Sequence, residues 1–184
     1  MLKVLTTAVL AAAVAFPLLA QPQAARPKQP APTKINGFRG EFLADLDEVQ
    51  EKLTDLAATM PQNKYSWRPG KGVRSVGEVF GHIAGSNYFL ATFVGRSAPS
   101  TIPQDMEKIA DKTQLQAEMK KSFDWLRSTI AAEPDADLEK SVNMFGKQIT
   151  HRAVYMTILN HLHEHLGQSV AYARMNGIVP HWSR

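Results

Sequence analysis

The chain has no cysteine in 184 residues. That excludes disulfides, thiolate metal ligands, a thiol nucleophile and a lipidated cysteine behind a signal sequence. Dense runs of Lys and Arg are also missing. The formal net charge is +4, but the positive residues are scattered. Phosphate binding needs a concentrated patch, so no nucleic-acid partner is expected. No Ser-His-Asp order, phosphate-cradling glycine loop or paired-carboxylate signature stands out. Long apolar runs are absent outside the N-terminus, so no other segment is expected to cross a bilayer.

The N-terminus, "MLKVLTTAVLAAAVAFPLLAQ", carries one early charge at Lys3, then an apolar run from Ala8 to Ala20 interrupted only by Pro17. This is the layout of a secretory signal peptide. Residues 1–20 are read as that signal, with cleavage after Ala20, or alternatively after Ala25. The run is short for a membrane span, so no stable membrane anchor is expected after cleavage. The expected destination is the periplasm or the exterior. "QPQAARPKQPAPT" follows, with four prolines and almost no large apolar residue. Residues 21–35 are therefore read as a flexible tether, and 36–184 as the folded domain.

From Asn36 the texture changes. Phe38, Phe42, Leu46, Val49, Leu53 and Leu56 recur at steps of three and four, the face of an amphipathic helix. The loop Met60 to Gly72 ends it. Ser75 followed by Glu78 fits a capping box and opens a second helix with a stripe at Val76, Val79, Ile83 and Leu90. Leu115, Met119, Phe123, Leu126 and Ile130 mark a third. Glu133 to Gln148 reads as an irregular return, without strand pattern. Thr150 is an N-cap for a fourth helix that stops at Gly177, with Pro180 just beyond. Four long helices and no convincing strand predict an all-α four-helix bundle.

The fourth helix holds "LNHLHEHLGQ", with three of the chain's six histidines. A strand would place His161, His163 and His165 on one face. A helix turns about 100° per residue, so His165 lies about 40° from His161 and His163 about 200° away. His161 and His165 can share a metal; His163 cannot join them. The metalloprotease pattern His-Glu-x-x-His fails because Gly167 stands where its second histidine would be. On the second helix, His82 sits at the edge of an apolar stripe. Alone it reads as a buried histidine with a hydrogen-bond partner. With the pair it makes three neutral imidazoles from two helices, leaving coordination positions open, as catalytic metal sites do. Zinc, nickel or iron(II) suit such ligands better than copper(I), calcium or magnesium.

Two segments, "WRPGKGVRSVGEVFGHIAG" and "NHLHEHLGQSVAYARMNGIVP", resemble the signature of the DinB-like (YfiT-like) family of metalloenzymes. A histidine follows a Ser-Val-x-Glu helix start, and a late helix carries His-x-x-x-His, then Gly-Gln, an Arg and a Gly. Here these are His82, His161, His165, Gly167, Gln168, Arg174 and Gly177. The resemblance covers roughly Asn36 to Pro180. It implies a bundle in up-down-down-up order, often a homodimer, with one divalent metal ion, commonly nickel or zinc, held by His82, His161 and His165. Relatives that use low-molecular-weight thiols work in the cytoplasm; an exported chain would meet few such thiols.

The expected function is a metal-dependent hydrolase or transferase acting on an unidentified small molecule. The alternative is a non-catalytic bundle that binds a ligand or partner and keeps a vestigial or structural metal site. Glu164, about 60° from His161 around the helix, is a candidate general base or an acceptor for a ligand N–H, against the simpler reading of a solvent-facing glutamate. Glu78 is read as the cap. Gln168 and Tyr172 continue the metal face and either touch substrate or pack. His151, about 15 Å along the helix from His161, is not expected to bind the same metal. His163 and His181 read as surface residues, and Trp67 and Trp125 as core or loop anchors.

Overall fold

A computed structural model describes residues 35–183. The signal-peptide assignment, residues 1–20, and the tether up to residue 34 lie outside them. Four helices account for most of the fold: α1, Gly37–Thr59; α2, Val76–Ala91; α3, Lys112–Ala131; and α4, His151–Met175. The predicted stripes are the buried ones. Phe42, Leu46, Val49, Leu53 and Leu56 of α1 face Leu115, Met119, Phe123, Leu126 and Ile130 of α3 and the inner faces of α2 and α4. Each fully buried side chain of this size contributes about 1.5–3 kcal/mol relative to exposure.

The helices do not pack in chain order. α1 packs on α3 and α4, and α2 packs on the same two, so α1 and α2 face each other across the bundle diagonal. Cross-contacts set the directions. Arg39 at the start of α1 donates to the Ala131 carbonyl at the end of α3, so these two run antiparallel. Phe42 meets the Tyr155 ring early in α4 at 5.5 Å, so α1 and α4 run parallel. Asn87 donates to Ser122 and the Tyr88 ring packs, tilted, against Trp125, which makes α2 and α3 parallel. The order is up-down-down-up. The parallel neighbours α2 and α3 need a long crossover, which the loop 92–111 supplies, and the loop 60–75 carries the chain across the diagonal from α1 to α2.

Helix termini follow the sequence signals. Ser75 and Glu78 form the reciprocal capping box, with Ser75 N donating to Glu78 Oε2 at 2.7 Å. Thr150 Oγ1 caps α4 by accepting from Ala153 N. Beyond α4, Gly177 takes φ 77° while Ile178 N donates to Ala173 O and Gly177 N to Arg174 O. This paired closure places glycine where an L-residue would be strained.

The return between α3 and α4 is not irregular throughout. Ser141–Met144 (β1) and Lys147–Thr150 (β2) form an antiparallel hairpin, with Met144 opposite Lys147. Its two-residue turn is Phe145-Gly146, both at positive φ, 51° and 83°. Such turns normally announce themselves by Asn-Gly or Asp-Gly. Phe in the first position hid the signal, although Asn143 Oδ1 accepts from Gly146 N.

A second buried polar cluster ties this return to the bundle. Glu133, 2% exposed, accepts from His151 Nδ1 at 2.7 Å, from Arg96 at 2.9 Å and from Tyr155 at 3.2 Å. Burial alone would raise the Glu133 carboxyl, but these donors outweigh it and hold the group below the usual range. His151 is thus a buried partner of Glu133, well away from His161 along α4.

Candidate metal centre

α4 buries Val154, Ile158, Leu162, His165, Ser169 and Tyr172, a continuous stripe at steps of three and four. His165 occupies a core position in that stripe. His161 stands half-buried on its flank, whereas His163 and Glu164 are exposed. α2 is buried nearly all round: only Glu78, His82, Gly85 and Phe89 escape. His82 is therefore on the one open stripe of α2, facing α4.

The three imidazoles meet. The Nε2 atoms of His82 and His161 are 3.1 Å apart, as are those of His165 and His161. One ligand atom from each of the three lies within 4.8 Å of the others. Tetrahedral zinc with nitrogen at about 2.0–2.1 Å would separate its ligand atoms by about 3.3 Å, so the spacing fits one ion.

Hydrogen bonds on the far side of each ring decide where the protons sit. Glu107 Oε1 lies 3.1 Å from His82 Nδ1. An ionised carboxylate only accepts, so that nitrogen carries the proton and Nε2 keeps its lone pair. The same result reaches His165 through four groups. The Arg74 carbonyl only accepts, so the Tyr172 hydroxyl, 3.1 Å away, donates to it. The phenol oxygen then accepts from Gln168 Nε2 at 3.0 Å. This turns Gln168 Oε1 toward His165 Nδ1 at 2.8 Å, and that nitrogen must donate. Arg74 closes the ring, because its Nε donates to Glu107 Oε2 at 3.0 Å. One loop residue, just ahead of the α2 cap, thus orients both outer histidines, an arrangement familiar around metal ligands.

Burial pushes the His161 imidazole down to about 4, and the neighbouring His165 and His82 add to the effect. Burial likewise lowers His82, against the pull of Glu107. Neutral rings are what a metal requires. In the metal-free protein the sign follows from proton counts. Below the ordinary value of 6.5 the unfolded chain binds a proton that folded His161 refuses until about 4. Stability present above pH 6.5 is therefore lost as the pH falls toward 4. The melting temperature of metal-free protein is expected to drop across that window, measured by circular dichroism, with less drop in His161→Gln.

Glu107 reaches His82 because Gly81 lets its turn approach. A Cβ on Gly81 would stand 2.4 Å from Met106 O and 2.8 Å from Glu107 Cα. Gly81→Ala is expected to push the turn Met106–Lys108 off α2 and break the Glu107–His82 bond. Metal affinity should fall about 10-fold or more, read by chelator competition, and stability by about 1–3 kcal/mol. Wild-type affinity in that variant would show that Glu107 is dispensable.

The fold brings His82, His161 and His165 together and leaves Glu164 outside the cluster. The carboxylate that touches the cluster is Glu107, which lies in a stretch without helical period and carried no motif. Arg74 was equally silent, since its role uses a backbone carbonyl and a long-range side-chain contact. Glu78 is the cap, and also pairs with Arg68 at 2.8 Å. Gln168 and Tyr172 are neither free nor merely packing; they are links in the chain to His165. Trp67 anchors the loop edge-on to Tyr172 at 5.5 Å, and Trp125 packs against Tyr88. His163 and His181 are at the surface.

A four-helix bundle in up-down-down-up order with three convergent histidines defines a class of potential metal-binding proteins. The DinB superfamily profile matches residues 45–169, and the chain belongs to that family. Solved structures agree on the fold. A DinB-like protein from Bacillus cereus ATCC 10987 is similar at 19% identity with a TM-score of 0.64, over 76% of this chain and 93% of that one. The DinB-like protein YjoA from Bacillus subtilis gives 19% and 0.63, over 78% and 98%. YfiT from Bacillus subtilis, described as a probable metal-dependent hydrolase with an unusual four-helix bundle topology, gives 18% and 0.60, over 82% and 94%. No match is found among curated proteins.

Proposed function

We propose that this chain is an exported metal-dependent hydrolase or transferase acting on a small molecule, with His82, His161 and His165 holding one divalent ion, zinc or nickel before iron. The observation that carries the reading is the convergence of three Nε2 atoms, two of them freed by partnered Nδ1–H groups. When bound, such an ion supplies Lewis-acid polarisation of a substrate oxygen or nucleophile. The chain's own residues orient. Both Glu107 oxygens are engaged, one by His82 and one by Arg74, so Glu107 fixes a ring rather than moving a proton. Gln168 and Tyr172 do the same for His165. The likeness to YfiT, at 18% identity, supports the fold and is consistent with hydrolysis.

Purified mature protein is expected to hold about one transition-metal ion per chain by elemental analysis. Its hydrolysis of a panel of small esters, amides and lactones should vanish on chelation and return with zinc or nickel. Metal-free protein that takes up no ion on incubation would sink the proposal. Export rests on the signal-like residues 1–20. Protein recovered from the native host is expected to begin near Gln21 or Arg26 by mass spectrometry, and an intact Met1 would refute cleavage.

A further inference from the structure

The open stripe of α2 does not end at His82. It continues through Gly85 to Phe89, which is 53% exposed, at helical steps of three and four. Phe89 joins Phe93, just past the helix, and Phe145 at the hairpin tip. Their ring centroids are 5.6 Å (89–93), 4.9 Å (93–145) and 6.2 Å (89–145) apart. Phe145 is 68% exposed and sits at φ 51°. A turn position of this kind suits Asn, Asp or Gly, and a left-handed Phe is strained. Neither the turn nor the core gains from an exposed Phe there. A surface with a task does.

A cleft of about 270 Å³ runs from Phe89 of this shelf to His82, bounded also by Gly85, Gln104, Met106 and Glu107 among others. The floor is Gly85, where an added Cβ would meet nothing within 4 Å. Among the described residues no Lys or Arg lines the cleft, and its carboxylates Asp105 and Glu107 are paired with Lys108 and Arg74. Its lining therefore offers no cationic side chain to an anionic tail. Seven helical residues from His82 to Phe89 span about 10 Å.

We propose that this cleft and the aromatic shelf bind the apolar part of the substrate. The substrate class is then an uncharged amphiphile, with a metal-seeking carbonyl head at the histidines and an aryl or acyl tail about 10 Å long over Gly85. The proposal rests on the metal reading above, and its test separates the two.

Zinc-loaded protein is titrated calorimetrically with acetohydroxamate, which has a head alone, and 4-phenylbutanehydroxamate, which has the same head and a tail. Wild type is expected to bind the tailed ligand at least about 10-fold more tightly, as burial of a phenyl ring implies. Gly85→Leu, whose Cβ would meet nothing within 4 Å, projects a side chain into the cleft and should keep zinc and acetohydroxamate affinity while abolishing the preference. Phe89→Ala should reduce it several-fold. Equal affinity for both ligands in wild type, with zinc retained, would overturn the subsite and leave the metal site standing. So would a preference that survives Gly85→Leu. If Phe145→Ala splits a dimer in sedimentation while the preference stays intact, the shelf belongs to a second copy of the chain and the subsite proposal falls. A protein that holds no zinc and binds neither ligand would overturn both readings.

Discussion

Replacing His161 with alanine is expected to strip the metal from the mature protein, while His163→Ala keeps about one ion per chain. His161 is the middle of the cluster: its Nε2 lies 3.1 Å from both His82 Nε2 and His165 Nε2. Removing it takes away one of three ligands, the one whose Nε2 is within 3.1 Å of both others. Zinc sites with four protein ligands are worth roughly 10–16 kcal/mol. One ligand therefore carries about 3–4 kcal/mol, or a loss of affinity of about 10²–10³-fold. Elemental analysis after gel filtration reads the stoichiometry, and competition with a chromophoric chelator reads the affinity. The comparison with His163 makes the result specific. That residue is two positions away and chemically identical, but it is exposed, and its Nδ1 lies 2.9 Å from the Leu159 carbonyl within its own helix. Since His161 is also partly buried, a thermal melt on both variants checks that the fold survives. A folded His161→Ala protein that retains its full complement of metal would remove His161 from the site.

That contrast was legible in the sequence because it needs only a helix and its period. Leu159, Leu162 and the flanking apolar residues fix the phase, and the phase sorts the histidines. His82 was legible as a position at the edge of an apolar stripe, although the partner across the bundle depends on α2 and α4 being neighbours. That adjacency comes from the order of packing, which local pattern does not encode. Glu107 was out of reach. It depends on the missing Cβ of Gly81, which allows a turn 25 residues beyond His82 to close on the helix. Arg74 was hidden for a different reason: half of its role belongs to a carbonyl, which every residue possesses. The hairpin was missed because Phe145 occupies a left-handed position where the rules expect a small polar residue. The core was readable from periodicity; the features missed rest on close approach, backbone groups or an exception to turn chemistry.

Tyr172→Phe is expected to weaken metal binding about 10-fold, and Gln168→Leu by up to about 100-fold, although on the hydrogen-bond chain neither residue bonds a metal. Among the described residues, the tyrosine hydroxyl is the partner that tells Gln168 which way to turn its amide. It donates to the Arg74 carbonyl and accepts from Gln168 Nε2. Without it, Gln168 can present its NH₂ to His165 Nδ1. The imidazole then accepts at Nδ1 and carries its proton on Nε2, the nitrogen that must face the metal. Affinity falls because some of the protein holds the wrong tautomer. Gln168→Leu removes the acceptor altogether. Gln168→Glu is the diagnostic rescue: a carboxylate can only accept, so His165 Nδ1–H regains its partner and affinity should return to wild type or above. Nitrogen NMR of the metal-free protein reads the tautomer of His165 directly, and a merely structural defect would not shift it. Tyr172 also meets Trp67 edge-on, a contact that phenylalanine preserves, so loss of packing is not the cause of the expected effect. Wild-type affinity and an unchanged His165 tautomer in Tyr172→Phe would break the chain at its second link.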